Sequence, residues 1–160
     1  MLSVLFAPTL FAMSMMVAQD SGDLSPQDQA RAFAAAGFTQ SGGQWRSDCA
    51  DTSAAYTPGA IDLVDDLDGD GKPEAFITES SAACYGAAGT AFVLVSKQSG
   101  GTWRLLLRAT GYATPLSGRG IVGLPDIEVG GPGTCFPVYR WNDHEYAIDR
   151  HQYEGQPCQP

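Results

Sequence analysis

Positive charge is scarce in this chain: nine Lys and Arg stand against 18 Asp and Glu in 160 residues, a formal net charge of −9. A polyanion contacted through its phosphates needs clustered cations, so nucleic acid is excluded as a partner class. Histidine is nearly absent, with only His144 and His151 near the C-terminus, one in a turn-like stretch and one in a polar tail. Neither offers an imidazole pair for a transition metal or an acid–base relay. The four cysteines are far apart and form no Cys-x-x-Cys pair, which argues against zinc and against a thioredoxin-like site. Gly-x-Ser-x-Gly, His-Glu-x-x-His and Gly-Lys-Ser/Thr signatures are also missing, so no catalytic constellation assembles and a hydrolase is the least favoured class.

Apolar residues make up 44% of the chain and charged ones 17%, with 19 Gly and 10 Pro, a composition too apolar for disorder and too rich in turns for a helical bundle. The length suits one domain. The expected fold is mainly β, a small antiparallel-sheet domain with one short N-terminal helix.

No charge precedes Asp20, and Leu2 to Val17 is an apolar run ending in small residues. It is interrupted by Pro8 and shorter than the roughly 20 residues that span a bilayer. The run reads as an export signal over residues 1–18, leaving 19–160 as a single exported domain without a stable membrane span. Export places Cys49, Cys84, Cys135 and Cys158 in an oxidising compartment, periplasmic or extracellular, where disulfides form. Four cysteines allow three pairings, of which local closure favours Cys49 with Cys84 and Cys135 with Cys158.

Ser25-Pro26-Gln27-Asp28 has an N-cap, a proline at the first helical position and an early acid, and Gly37 supplies a stop. The spacing predicts a helix whose stripe is Ala30, Phe33 and Ala34, covering a sheet edge. Two Ser-Gly-Gly-x-Trp-Arg stretches, at 41–46 and 99–104, predict hairpins, and Asn142-Asp143-His144 predicts a third between Phe136–Trp141 and Glu145–Ile148. Trp45, Trp103 and Trp141 lie on strand-like runs and are expected in the core.

The most informative stretch is Asp66-Leu67-Asp68-Gly69-Asp70-Gly71-Lys72-Pro73-Glu74, set between strand-like runs. Alternating Asp66, Asp68 and Asp70 bring hard oxygen donors to one centre if the backbone curls. Gly71 permits the positive φ of that curl, Lys72 offers its carbonyl with its ammonium pointing away, and Glu74 closes the set. Hard oxygen ligands at this spacing select Ca2+ over softer metals. The twelfth place holds Ile77 rather than a bidentate Glu, and Pro73 blocks entry into a helix, so a helix–loop–helix sensor does not fit. From about Ile61 to Thr78 the pattern resembles the calcium hairpin loops of FG-GAP and VCBS repeats, found in integrin-α-like propellers and exported bacterial proteins. That resemblance implies a calcium-stapled β module, propeller-like only in part because one loop is present.

Glu79 to Thr90, rich in small residues, is a connector pinned by Cys84 or a loop that contacts a partner. Asp126 and Glu128 alternate on one strand, giving an exposed polar face or a weak second cation site. Together these features describe a non-enzymatic, exported calcium-binding module that presents loops to a protein or glycan. The alternative rests on likeness to periplasmic inhibitors and immunity proteins directed against lysozyme-type hydrolases, toward which an acidic surface would steer.

Overall fold

The computed structural model describes residues 23–160; the export signal expected over 1–18 lies outside them. Helix α1 (Pro26–Ala35) begins as its sequence directs: Ser25 is the N-cap, and its Oγ accepts from Asp28 N at 3.1 Å. At its end Gly37 adopts φ +78°, which lets Phe38 N reach back to Phe33 O.

Eleven strands follow: β1 (Thr39–Ser41), β2 (Gln44–Arg46), β3 (Thr57–Asp65), β4 (Glu74–Ser80), β5 (Thr90–Lys97), β6 (Trp103–Thr110), β7 (Tyr112–Arg119), β8 (Pro125–Gly130), β9 (Phe136–Trp141), β10 (Tyr146–Tyr153) and β11 (Gln156–Pro157). A four-residue helix α2 (Ala82–Tyr85) sits between β4 and β5. Strands β1 to β6 form one antiparallel sheet in sequence order, and β7 to β11 form a second. All three predicted hairpins are present.

The first sheet is covered on both faces, which explains the unbroken apolar runs of β4 and β5. One face carries Ala75, Ile77, Val93 and Val95 against Ala32, Phe33 and Ala36 of the helix region. The alternate residues, Phe76, Phe92 and Leu94, pack against Ile127, Val129, Trp141 and Tyr146 of the second sheet. The layer order is therefore helix, sheet, sheet. Along β6, Trp103 joins the helix-side cluster and Leu107 the inter-sheet cluster, because the register shifts between Leu94 and Val95 and reverses the facing of the strand.

Two expectations about α1 need correction. The helix lies over the sheet's face rather than its edge, since β4 and β5 present apolar side chains there that only a covering layer removes from water. Its buried residues are Ala32 and Phe33, joined by Ala36 at the C-cap, whereas Ala34 is exposed. The tryptophans behave as expected: Trp103 and Trp141 are buried, and Trp45 stacks on Phe33 with ring centroids 4.6 Å apart. Both disulfides are formed, Cys49–Cys84 and Cys135–Cys158. The first ties the β2–β3 connection to α2, and the second ties the C-terminal tail to the start of β9.

Candidate functional site

The acidic loop joins β3 to β4, and its backbone is shaped by its own carboxylates. Asp66 Oδ1 accepts from Gly69 N at 2.9 Å and Asp70 N at 3.0 Å, while Asp66 Oδ2 accepts from Gly71 N at 2.9 Å. Asp68 Oδ1 accepts from Asp70 N at 3.0 Å and Asp70 Oδ1 from Lys72 N at 2.8 Å. Each short acid thus bonds the backbone two to five residues ahead, and the turn curls with Gly71 at φ +81°.

Asp66, Asp68 and Glu74 each turn a carboxylate oxygen inward, all within 4.8 Å of one another. These are the residues that could hold a metal. Asp70, expected in the set, is drawn aside: its Oδ2 pairs with Lys72 Nζ. The Lys72 ammonium was expected to point away. Instead the tight turn at Gly71 puts the two side chains on one side of the loop, where their opposite charges attract. That pairing holds the Asp70 carboxyl below its ordinary pKa and raises that of Lys72.

Glu74 is buried, with 1% of its surface exposed. Burial pushes its carboxyl up to about 7, only partly offset by hydrogen bonds from Ser96 and Leu67 N, the latter 2.8 Å from Oε2. Asp68 is also raised, first by burial and then by the neighbouring Asp70 and Asp66 charges, although its backbone bond opposes this. Two unit charges 4.8 Å apart repel by about 3 kcal/mol at an effective dielectric of about 20, a large sum beside the total stability of a domain.

Two other carboxylates, Glu79 and Asp126, are also buried. Glu79, 2% exposed, accepts from Ser47 N at 3.1 Å and from the hydroxyls of Ser47, Tyr56 and Tyr85. Burial would raise its pKa, but these donors together hold it below the ordinary range. In turn, burial and the Glu79 charge push the Tyr85 hydroxyl up to about 12 and raise Tyr56 further. The 79–90 segment is a connector fastened by Glu79 and by Cys84, with Ser81 Oγ also donating to Asp51 Oδ2 at 2.6 Å.

Asp126 overturns both readings of its strand. It is fully buried rather than exposed, and cations of the protein itself occupy it. Arg140 donates from Nε to Oδ1 at 2.9 Å and from Nη2 to Oδ2 at 2.8 Å, and Arg150 adds Nη1 to Oδ2 at 2.9 Å. These bonds, Arg140 first, hold Asp126 below its ordinary pKa. Glu128 accepts from Gln152 Nε2 at 2.7 Å instead of joining a second cation site.

No protein-family model, curated protein or solved structure matches the chain. Function therefore has to be argued from the sites themselves.

Proposed function

We propose that the protein is a non-enzymatic, exported β module that binds one Ca2+ in the β3–β4 loop and presents its surface to a protein or glycan partner. The observation that carries the reading is the convergence of Asp66, Asp68 and Glu74 oxygens within 4.8 Å. The donor set is all oxygen and all anionic, the chemistry a hard divalent cation takes, and the repulsion it relieves is large. Asp66 would serve twice, shaping the loop through the Gly69, Asp70 and Gly71 amides and donating to the ion. When bound, the ion supplies charge neutralisation and a rigid link between β3 and β4. The same loop pattern underlies the likeness to FG-GAP and VCBS hairpins.

Export is supported by the two disulfides, which persist in oxidising compartments. Among the described residues no helix is long and apolar enough to cross a membrane. The absence of catalysis is supported by the state of the other enclosed acids: Glu79 is bound by four donors and Asp126 by two guanidiniums, so neither is free to exchange a proton with a substrate.

The test is a melting curve in Ca2+ and in chelator. At a free ion level 100 times the dissociation constant, binding adds about 2.7 kcal/mol, a shift of several degrees in Tm. Asp68→Ala should melt at the same temperature in both buffers. Coincident curves for the unaltered protein would contradict the reading.

A further inference from the structure

The acidic loop is fastened to the turn between β7 and β8, outside the hairpin that carries it. Arg119, the last residue of β7, donates from Nη1 to Leu67 O at 2.5 Å and to Gly123 O at 2.9 Å. Leu67 lies between Asp66 and Asp68, and its own N–H donates to Glu74 Oε2 at 2.8 Å. One guanidinium is thereby joined, through the backbone of a single residue, to all three carboxylates that converge in the loop. Carbonyls of two separate segments accept from one planar, permanently charged donor, a tie stronger than a neutral hydrogen bond.

The turn on the other side of that tie is framed at its base and bare at its tip. Gly120 N donates to Leu124 O at 2.9 Å, and Leu124 is buried in the inter-sheet cluster against which Leu67 also packs. A Cβ on Gly123 would stand 3.0 Å from Asp68 O, so turn and loop approach backbone to backbone. Val122 and Leu124 also share a cavity of ≈ 220 Å³ with Asp68 and Asp70. Between these anchors Ile121 and Val122 are more than half exposed. Val122 holds φ +58°, a conformation that a β-branched residue adopts only under constraint. Burial does not compensate it, so the frame does, through the Gly120–Leu124 bond and the Arg119 bridge to Gly123.

We propose that Arg119 couples the Ile121–Val122 tip to ion binding in the β3–β4 loop. A cation held by Asp66, Asp68 and Glu74 fixes Leu67, which is flanked by two of these residues and bonds the third. A fixed Leu67 carbonyl holds Arg119, and Arg119 holds Gly123 with the strained Val122 beside it. Without the ion the like charges of the three carboxylates loosen the loop, the Leu67 carbonyl moves and the tip relaxes. Loop and tip share one ordering cost, so by reciprocity whatever frees the tip also weakens the ion. The inference rests on the calcium reading and adds regulation to it: the two bare aliphatic side chains are held in one conformation only when the loop is loaded.

The experiment follows amide hydrogen exchange by NMR in the full-length protein, in CaCl2 and in chelator. The Gly69 and Gly71 amides, bonded to Asp66, report the loop; the Gly120 amide, bonded to Leu124 O, reports the tip. The Cys158 amide, bonded to His151 O in the tail, controls for global stabilisation. Calcium is expected to slow exchange about fivefold or more at Gly69, Gly71 and Gly120, and to leave Cys158 unchanged. Arg119→Lys keeps the charge near the ion but loses the planar fork, so the slowing should persist at Gly69 and Gly71 and vanish at Gly120. From the tip side, Gly123→Ala presses on Asp68 O without altering a carboxylate, and should weaken calcium binding about fivefold or more by isothermal titration. Gly120 indifferent to calcium while Gly69 and Gly71 respond, Cys158 slowed as much as Gly120, an undiminished Gly120 response in Arg119→Lys, or unchanged affinity in Gly123→Ala would each overturn the coupling and leave the ion site standing. No response at Gly69 and Gly71 would instead remove the ion, and the coupling with it.

Discussion

Glu79 shows at the scale of one residue how a carboxylate can be buried and still be favourable. Four donors surround it, so removing the acceptor strands Ser47 N and three hydroxyls away from water. Each orphaned buried group costs about 1–3 kcal/mol, and relaxation of the hydroxyls recovers part. Glu79→Ala should therefore destabilise by about 3 kcal/mol or more in a denaturant titration, and Glu79→Gln by less. Asp126 makes the matching case for charge. Its folded pKa is depressed, so its contribution is fully present above the ordinary carboxylate value of about 4 and is lost as pH falls through the lower folded value. NMR titration of the Asp126 carboxyl should show it still charged when exposed aspartates have protonated. The sequence marks Asp126 only as an outward polar side chain or a weak cation site, because the partners that bind it, Arg140 and Arg150, lie 14 and 24 positions away, and it marks Glu79 only as the start of a connector. The acidic loop was legible because its carboxylates and its turn lie within nine residues. The pairing of Asp70 with Lys72 is a local competition that spacing does not rank.

Among the elements, the hairpins were readable from paired turn residues and flanking β-formers, as at Ser41-Gly42-Gly43, where both glycines take positive φ. Strand β7 was not. Its sequence Tyr-Ala-Thr-Pro-Leu-Ser-Gly-Arg has no alternation, contains Pro115 and breaks register between Pro115 and Arg119, features tolerated because it is the edge of the second sheet. Helix α1 was placed correctly along the chain but on the wrong surface, because amphipathic spacing names a stripe and not what it covers. Its docking explains Gly59 of β3, where a Cβ would stand 2.6 Å from the Phe38 ring. Gly59→Ala should cost about 1–3 kcal/mol, measured by chemical unfolding, as Phe38 and Phe33 shift to make room.

For the molecule as a whole, two sheets sharing one apolar interlayer account for the fold, and covalent and ionic ties fasten the parts that layer does not reach. The Cys135–Cys158 bridge, spanning 23 positions, holds a tail otherwise paired only through β11. Replacing both cysteines by serine should lower stability by about 2–5 kcal/mol without unpairing the first sheet, as hydrogen exchange would report. The acidic loop, with the Ca2+ proposed for it, would be the ionic counterpart, closing β3 onto β4 next to the buried Glu74. Isothermal titration of the chelator-treated protein with CaCl2 tests this most directly. One ion per chain should bind with measurable heat, and Asp66→Asn combined with Asp68→Asn should abolish it. A flat titration of the unaltered, folded protein at millimolar calcium would contradict the account.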